Sequence, residues 1–190
     1  MPGSQTRWLP LNARMFKKGT KLYIKPFFLT SNMAEIKFLA DCMLGTLSKW
    51  LRILGYDAEY SRRPVNREIM QQALTDDRQV LTRNTRLHAG AVEDIGRICT
   101  IKSNDPVLQV REVIAYYHLT ISMSAHLTRC LVCNTRLAKT SPLLLASMVP
   151  EYILTTRKIF LSCPRCQKVY WRGSHYHNMQ QRIKQKLMMK

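Results

Sequence analysis

The sequence predicts an α/β domain built on a parallel sheet, followed by a small metal-stabilised unit. Three observations carry this. Short apolar strands alternate with amphipathic helical stretches from Glu35 to Tyr117, the pattern of a parallel sheet covered by helices. Two Cys-x-x-Cys pairs follow, Cys130/Cys133 and Cys163/Cys166. The net charge of +18 is also uneven: +6 over residues 1–32, +1 over 33–125 and +11 over 126–190. A near-neutral body is thus flanked by two basic segments. A length of 190 residues suits one domain with a small module.

The first strand, Glu35–Ala40, ends at Asp41. A helix over Met43–Leu54 follows, because Leu44, Leu47, Leu51 and Leu54 recur on one helical face. Gly55 supplies its C-terminal stop. Asp41 therefore stands at the carboxyl end of a strand, the edge where open parallel sheets bind ligands. Asp is also a favoured N-cap residue, and both roles stay open on the residues alone. Asp57–Tyr60 reads as a short strand and Arg62-Arg63-Pro64 as a turn. Asn66 is placed to cap a helix through Leu74, with Glu68 suited to its positive end. Strands follow at Gln79–Thr82 and Arg97–Ile101, with a short helical piece near Leu87–Val92 between them. Asp105-Pro106 opens the last helix of the body, with Pro at the first helical position.

Beyond His126 the character changes to basic residues, paired cysteines and short strands at Phe160–Ser162 and Val169–Trp171. The two cysteine pairs are separated by 29 residues. Four thiolates complete a tetrahedron around one zinc ion, and a closed four-ligand site is structural rather than catalytic. Such a unit gains folding energy from its metal, so chelation is expected to unfold residues 126–175 and leave the body folded. His175 is an alternative ligand or a surface residue. Cys42 and Cys99 fall in apolar patterns and read as buried hydrophobes. The spacing is not that of a secreted disulfide scaffold, which points to a reducing compartment.

Residues 1–32 hold six Lys/Arg, no acid and no clear period. They fit a disordered basic arm, an organellar targeting segment or an upstream extension ahead of Met33. The corresponding locations are the cytoplasm or, for a targeting segment, an organellar matrix. The net charge of +18 favours a polyanion or an anionic surface; no apolar run approaches the roughly 20 residues that span a bilayer, and a polyanion rather than a membrane is expected as partner.

Several phrases together resemble the Mut7-C ribonuclease family: Phe38-Leu-Ala-Asp-Cys-Met-Leu-Gly45, Trp50-Leu-Arg-Ile-Leu-Gly-Tyr-Asp57, Val80-Leu-Thr-Arg-Asn84, the cysteine pairs and Val169-Tyr-Trp-Arg-Gly-Ser-His175. The resemblance covers about residues 33–180. It implies a PIN-like ribonuclease domain over 33–125, a zinc ribbon over 126–175 and a basic tail over 176–190. It also implies clustered carboxylates holding Mg²⁺ or Mn²⁺, which activates water at the scissile phosphate. Asp41 matches the family's first acid. The acids expected next fall at Asn66 and Asn84, which keep an acceptor oxygen and lose the charge. Glu68 and Asp105 remain nearby as candidate helpers.

Two functions follow from the resemblance. One is a metal-dependent endoribonuclease with a degenerate site at Asp41. The other is an inactive homologue that binds RNA, as in ribosome or RNP assembly. A zinc-stabilised protein-interaction module is the third reading. RNA rather than DNA is implied by the resemblance alone. Phosphate contacts are expected from Arg129, Arg136, Lys139, Arg157, Lys158, Arg165, Lys168 and Arg172. Tyr170, Trp171, His175 and Tyr176 are placed for base stacking, with packing on the ribbon as the alternative for Trp171. The final basic run from Gln180 reads as a helix that is solvated or meets a partner.

Overall fold

The computed structural model describes residues 15–18, 21–24, 36–85 and 97–188. The chain divides into two compact units, Met1–Ala34 and Glu35–Lys190. In the first, β1 (Met15–Lys18) and β2 (Lys21–Ile24) pair antiparallel, with Met15 opposite Ile24 and Lys18 opposite Lys21. This hairpin has no counterpart in the sequence reading, where the segment shows no period.

The second unit is organised by a four-stranded parallel sheet. Its strands are β3 (Lys37–Ala40), β4 (Asp57–Tyr60), β5 (Arg78–Thr82) and β6 (Ile98–Thr100), in the order β4-β3-β5-β6. Helices α1 (Gly45–Ile53), α2 (Arg67–Thr75) and α3 (Pro106–Tyr117) connect and cover them. Phe38 and Ala40 point into one core with Leu44, Leu47, Leu51, Leu81, Val110 and Val113. Leu39, on the opposite face of β3, joins Val80, Ile69, Met70 and Ala73 in a second core. The period-2 alternation of one central strand thus feeds both layers. The expected short helix near Leu87–Val92 lies outside the described residues.

Local chemistry sets the element ends. Asn66 caps α2 by accepting a hydrogen bond from the Ile69 N–H at 2.9 Å. Asp105 caps α3 by accepting from Val107 and Leu108 at 2.8 and 3.0 Å, with Pro106 next. At the end of α1, the Gly55 N–H donates to Arg52 O and the Tyr56 N–H to Leu51 O. This paired closure places Gly55 at φ +96°. A Cβ there would also lie 2.5 Å from Ala125 O, so the position demands glycine twice over. Asp41 does not cap α1, whose N-cap is Leu44. Its Oδ1 accepts from Met43 N–H at 2.9 Å and its carbonyl from Leu44 N–H at 3.0 Å. A tight turn therefore separates strand from helix, and Asp41 belongs to the turn.

The cysteine-bearing segment forms a three-stranded antiparallel sheet, β7 (Ala138–Thr140), β8 (Phe160–Ser162) and β9 (Val169–Trp171). Between β7 and β8 lies a short helix, α4 (Glu151–Thr156). Leu145, Val149, Ile153 and Phe160 form a small core there, with Trp171 packed on it. Helix α5 (Ser174–Ile183) and a π-helical turn (Lys184–Met188) follow. They return to the α/β core, where Ile183 is fully buried and Met179 and Leu187 pack alongside. The basic run read as solvated or partner-binding is therefore amphipathic, and its apolar face completes the body.

Candidate functional site

At the carboxyl edge of the sheet, Asp41 follows the central strand β3 and is 1% exposed. The parallel register brings β5 alongside, so that Asp41 N–H donates to Leu81 O at 3.0 Å. The Thr82 hydroxyl, itself fully buried, donates to Asp41 Oδ2. The same hydroxyl accepts from the Asn84 N–H at 3.0 Å. Each Asp41 carboxylate oxygen thus already receives a protein donor, Met43 N–H on one side and Thr82 on the other. Thr82 and its link to Asn84 went unassigned in the sequence reading, although both lie in the Val80–Asn84 phrase.

The other candidate acids have separate roles. Glu68 pairs with Arg63 at 3.1 Å on the surface. Asp105 and Asn66 hold helix N-termini. Among the described residues, the only group of three or more His, Cys, Asp or Glu side chains that converges is the four-cysteine cluster. Asp41, Glu68 and Asp105 are thus not brought together in any such group among the described residues. Cys99 is buried, as expected, and burial pushes its thiol up to about 12. Cys42 is only half-buried, because it lies in the turn after Asp41 rather than in the core.

The four cysteines do converge. Their sulfurs lie within 4.8 Å of one another. The Cys130–Cys166, Cys133–Cys163 and Cys133–Cys166 separations are 3.4, 3.3 and 3.7 Å. A tetrahedron with metal–sulfur bonds of about 2.3 Å has edges of about 3.8 Å, so the cluster fits one zinc-sized ion. The two knuckles are built alike. Asn134 N–H returns to Cys130 O and Gln167 N–H to Cys163 O, at 3.0 and 2.9 Å. Cys130 N–H bonds to Thr135 O, and Cys163 N–H to Lys168 O. Asn134 and Gln167 both adopt the left-handed conformation, at φ 67° and 59°. Burial opposes ionisation of Cys133, but hydrogen bonds led by Thr135 bring its pKa down to about 6. At Cys166 the Lys168 backbone works to lower the pKa, but burial and the hydrogen bonds with Cys130, Cys163 and Cys133 push it the other way, up to about 12, so the cluster without an ion shares its protons unevenly.

The first knuckle is joined to the sheet edge. Asn134 Nδ2 donates to Asp57 Oδ1 at 2.7 Å, and Ala58 N–H donates to Asn134 Oδ1 at 3.1 Å. Arg129 pairs with Asp57 at 3.2 Å and donates to Asn134 O. Asp57 also receives Arg78 at 2.6 Å, and Arg78 in turn meets Glu59 at 2.9 Å. Arg52 of α1 donates to Ala58 O and to the knuckle carbonyls of Leu131 and Val132. None of these long-range partners was readable from local pattern.

This geometry revises part of the expected basic surface. Arg129 is 6% exposed and neutralises Asp57, so it does not offer its charge to phosphate. Trp171 is half-buried on the ribbon core, 6.4 Å from the Phe160 ring. Tyr170 turns its hydroxyl to Cys130 Sγ and Leu131 N, and Tyr176 is buried. All three make packing contacts, while Tyr170 and Trp171 stay partly exposed. Arg136, Lys139, Arg157, Lys158, Arg165, Lys168, Arg172 and His175 are exposed, and Arg172 lies 5.6 Å from the Tyr176 ring centre.

No helix among the described residues is long and apolar enough to cross a membrane. No curated protein matches the chain. The family model described as Mut7-C RNAse domain matches residues 36–183, which spans the parallel sheet, both cysteine pairs and α5. The chain belongs to the Mut7-C RNAse domain family.

Proposed function

We propose that this protein binds RNA through the basic surface of its cysteine-bearing segment, and that its ancestral cleavage centre is reduced to a structural residue. One observation carries the second half. Asp41 is 1% exposed, with a protein donor on each carboxylate oxygen. The family resemblance expects acids at two positions that are Asn66 and Asn84 here. The first half is supported by the family, which is named for a ribonuclease domain, and by the charge. Residues 126–190 carry twelve basic residues and one acid, Glu151. The four-cysteine cluster is read as a structural zinc site that shapes this surface.

A second reading, a Mg²⁺- or Mn²⁺-dependent endoribonuclease, is favoured by the position of Asp41 at the carboxyl end of the central strand. Its burial and the dispersal of Glu68 and Asp105 weigh against that reading.

The binding half is tested by fluorescence anisotropy on a labelled single-stranded RNA from 50 to 200 mM salt. If all seven exposed Lys/Arg from Arg136 to Arg172 reach phosphates, the log–log slope is roughly −5. Lys168→Glu should reduce that slope by about 0.7 if it removes one contact. Salt-insensitive binding would sink the phosphate-contact account. DNA of the same sequence reports whether the sugar matters.

A further inference from the structure

A buried cation from the α/β body grips the first turn of the four-cysteine cluster. Arg52 lies on the buried face of α1 and is 5% exposed. Its Nε donates to Ala58 O at 2.7 Å. Its NH1 group donates to Leu131 O at 2.9 Å and Val132 O at 3.1 Å. These are the two residues inside the first Cys-x-x-Cys turn. No carboxylate among the described residues forms an ion pair with it. A buried guanidinium bonded only to carbonyls is costly. A divalent ion held by four thiolates carries a net charge of −2, and that centre adjoins the knuckle that Arg52 grips.

We infer that the metal centre is completed by the α/β body: Arg52 is its positioning cation, and the Asn134 side chain fixes the first knuckle to Asp57 and Ala58. This rests on the reading of the four cysteines as a metal site. Burial works to lower the Arg52 pKa, and the charges of Cys130, Cys133, Glu59 and Asp57 offset it. Two further features agree. Asn134 adopts the left-handed conformation in which glycine is least strained, yet a side chain stands there and both its amide atoms bond to the body. The second knuckle, by contrast, has Gln167 exposed at the equivalent position. Body contact therefore orders one cysteine pair before metal arrives, and the metal, once bound, holds the carbonyls that neutralise Arg52.

The test uses the full chain loaded with zinc, then with Co²⁺. Zinc release to a colorimetric chelator is timed for wild type, Arg52→Met, Arg52→Lys and Asn134→Gly. Groups that orient metal ligands typically change affinity about 10- to 100-fold. Arg52→Met and Asn134→Gly should each speed release at least about tenfold. Arg52→Lys should recover only part, because an ammonium cannot reach Ala58, Leu131 and Val132 together. In the Co²⁺ form, Arg52→Met should move the thiolate-to-metal charge-transfer band to lower energy, since a nearby cation is gone. A purely structural link leaves that band in place. A folded Arg52→Met with wild-type release and an unmoved band overturns the inference. Should Arg52→Met fail to fold, Asn134→Gly decides, because glycine relaxes the knuckle backbone while deleting the body contacts. Release that is unchanged or slower overturns the inference, and faster release supports it. Wild type without one zinc per chain removes the metal reading itself, an outcome distinct from both.

Discussion

Asp57 is the residue on which the junction between sheet and first knuckle depends. Its carboxylate lies 2.6 Å from Arg78 and 3.2 Å from Arg129, and it accepts from Asn134 at 2.7 Å. The side chains of both arginines are under 10% exposed and that of Asp57 is 13% exposed. Asp57→Ala leaves two guanidiniums in a poorly solvated site, with Glu59 remaining beside Arg78. Removing one partner of such a buried network costs about 3–5 kcal/mol. For a chain of this size that corresponds to a fall in Tm of about 6–20 °C. The pH dependence follows from the same contacts. Burial alone would raise the Asp57 pKa, but hydrogen bonds from Arg78 and Asn134, with the charges of Arg78 and Arg129, hold it below its ordinary value. A depressed acid contributes stability above its unfolded pKa, about 4, and loses it as pH falls through the folded value. Urea unfolding of wild type and Asp57→Ala should therefore differ fully at pH 7 and converge below about pH 4. A difference under about 1 kcal/mol at pH 7, the range of an exposed ion pair, would refute the buried-hub account.

Gly55→Ala should destabilise by about 2–5 kcal/mol, combining left-handed strain with the clash against Ala125; a change under 1 kcal/mol in urea would contradict it. Asn66→Ala should cost about 1 kcal/mol through loss of the α2 cap, and Asn66→Asp should retain that stability. Chelating zinc should lower the unfolding midpoint of the α/β body as well as that of the cysteine segment. Protection of β4 amides in hydrogen exchange that is unchanged after chelation would show the two to be independent. The cysteine spacing alone carries the opposite expectation, that the segment unfolds by itself.

The sheet and its helices were legible because burial there repeats locally. Leu44, Leu47, Leu51 and Leu54 announce the core face of α1, and all four are buried. Asn66, Asp105 and Gly55 announce helix ends, since each acts on backbone groups within a few residues. The cysteine cluster was readable because a metal site leaves its spacing in the sequence. The junction was not. Arg129 and Arg165 look alike in composition, and only the fold sets one against Asp57 and leaves the other exposed. Arg52 lies 79 residues from its partner Leu131. The return of α5 did leave a signal, with Tyr176, Met179, Ile183 and Leu187 at helical spacing. The surrounding lysines and glutamines masked it. The position of Asp41 at a strand's carboxyl end is legible in the sequence, but its bond to Thr82 depends on the register with β5.

The central claim is RNA binding without cleavage through Asp41. Its most direct test incubates excess full-length protein with an end-labelled structured RNA and Mn²⁺ under single-turnover conditions, comparing wild type with Asp41→Asn. The two proteins should bind RNA with equal affinity, and neither should cleave it above the protein-free rate. Mn²⁺-dependent cleavage by wild type that Asp41→Asn abolishes would contradict it.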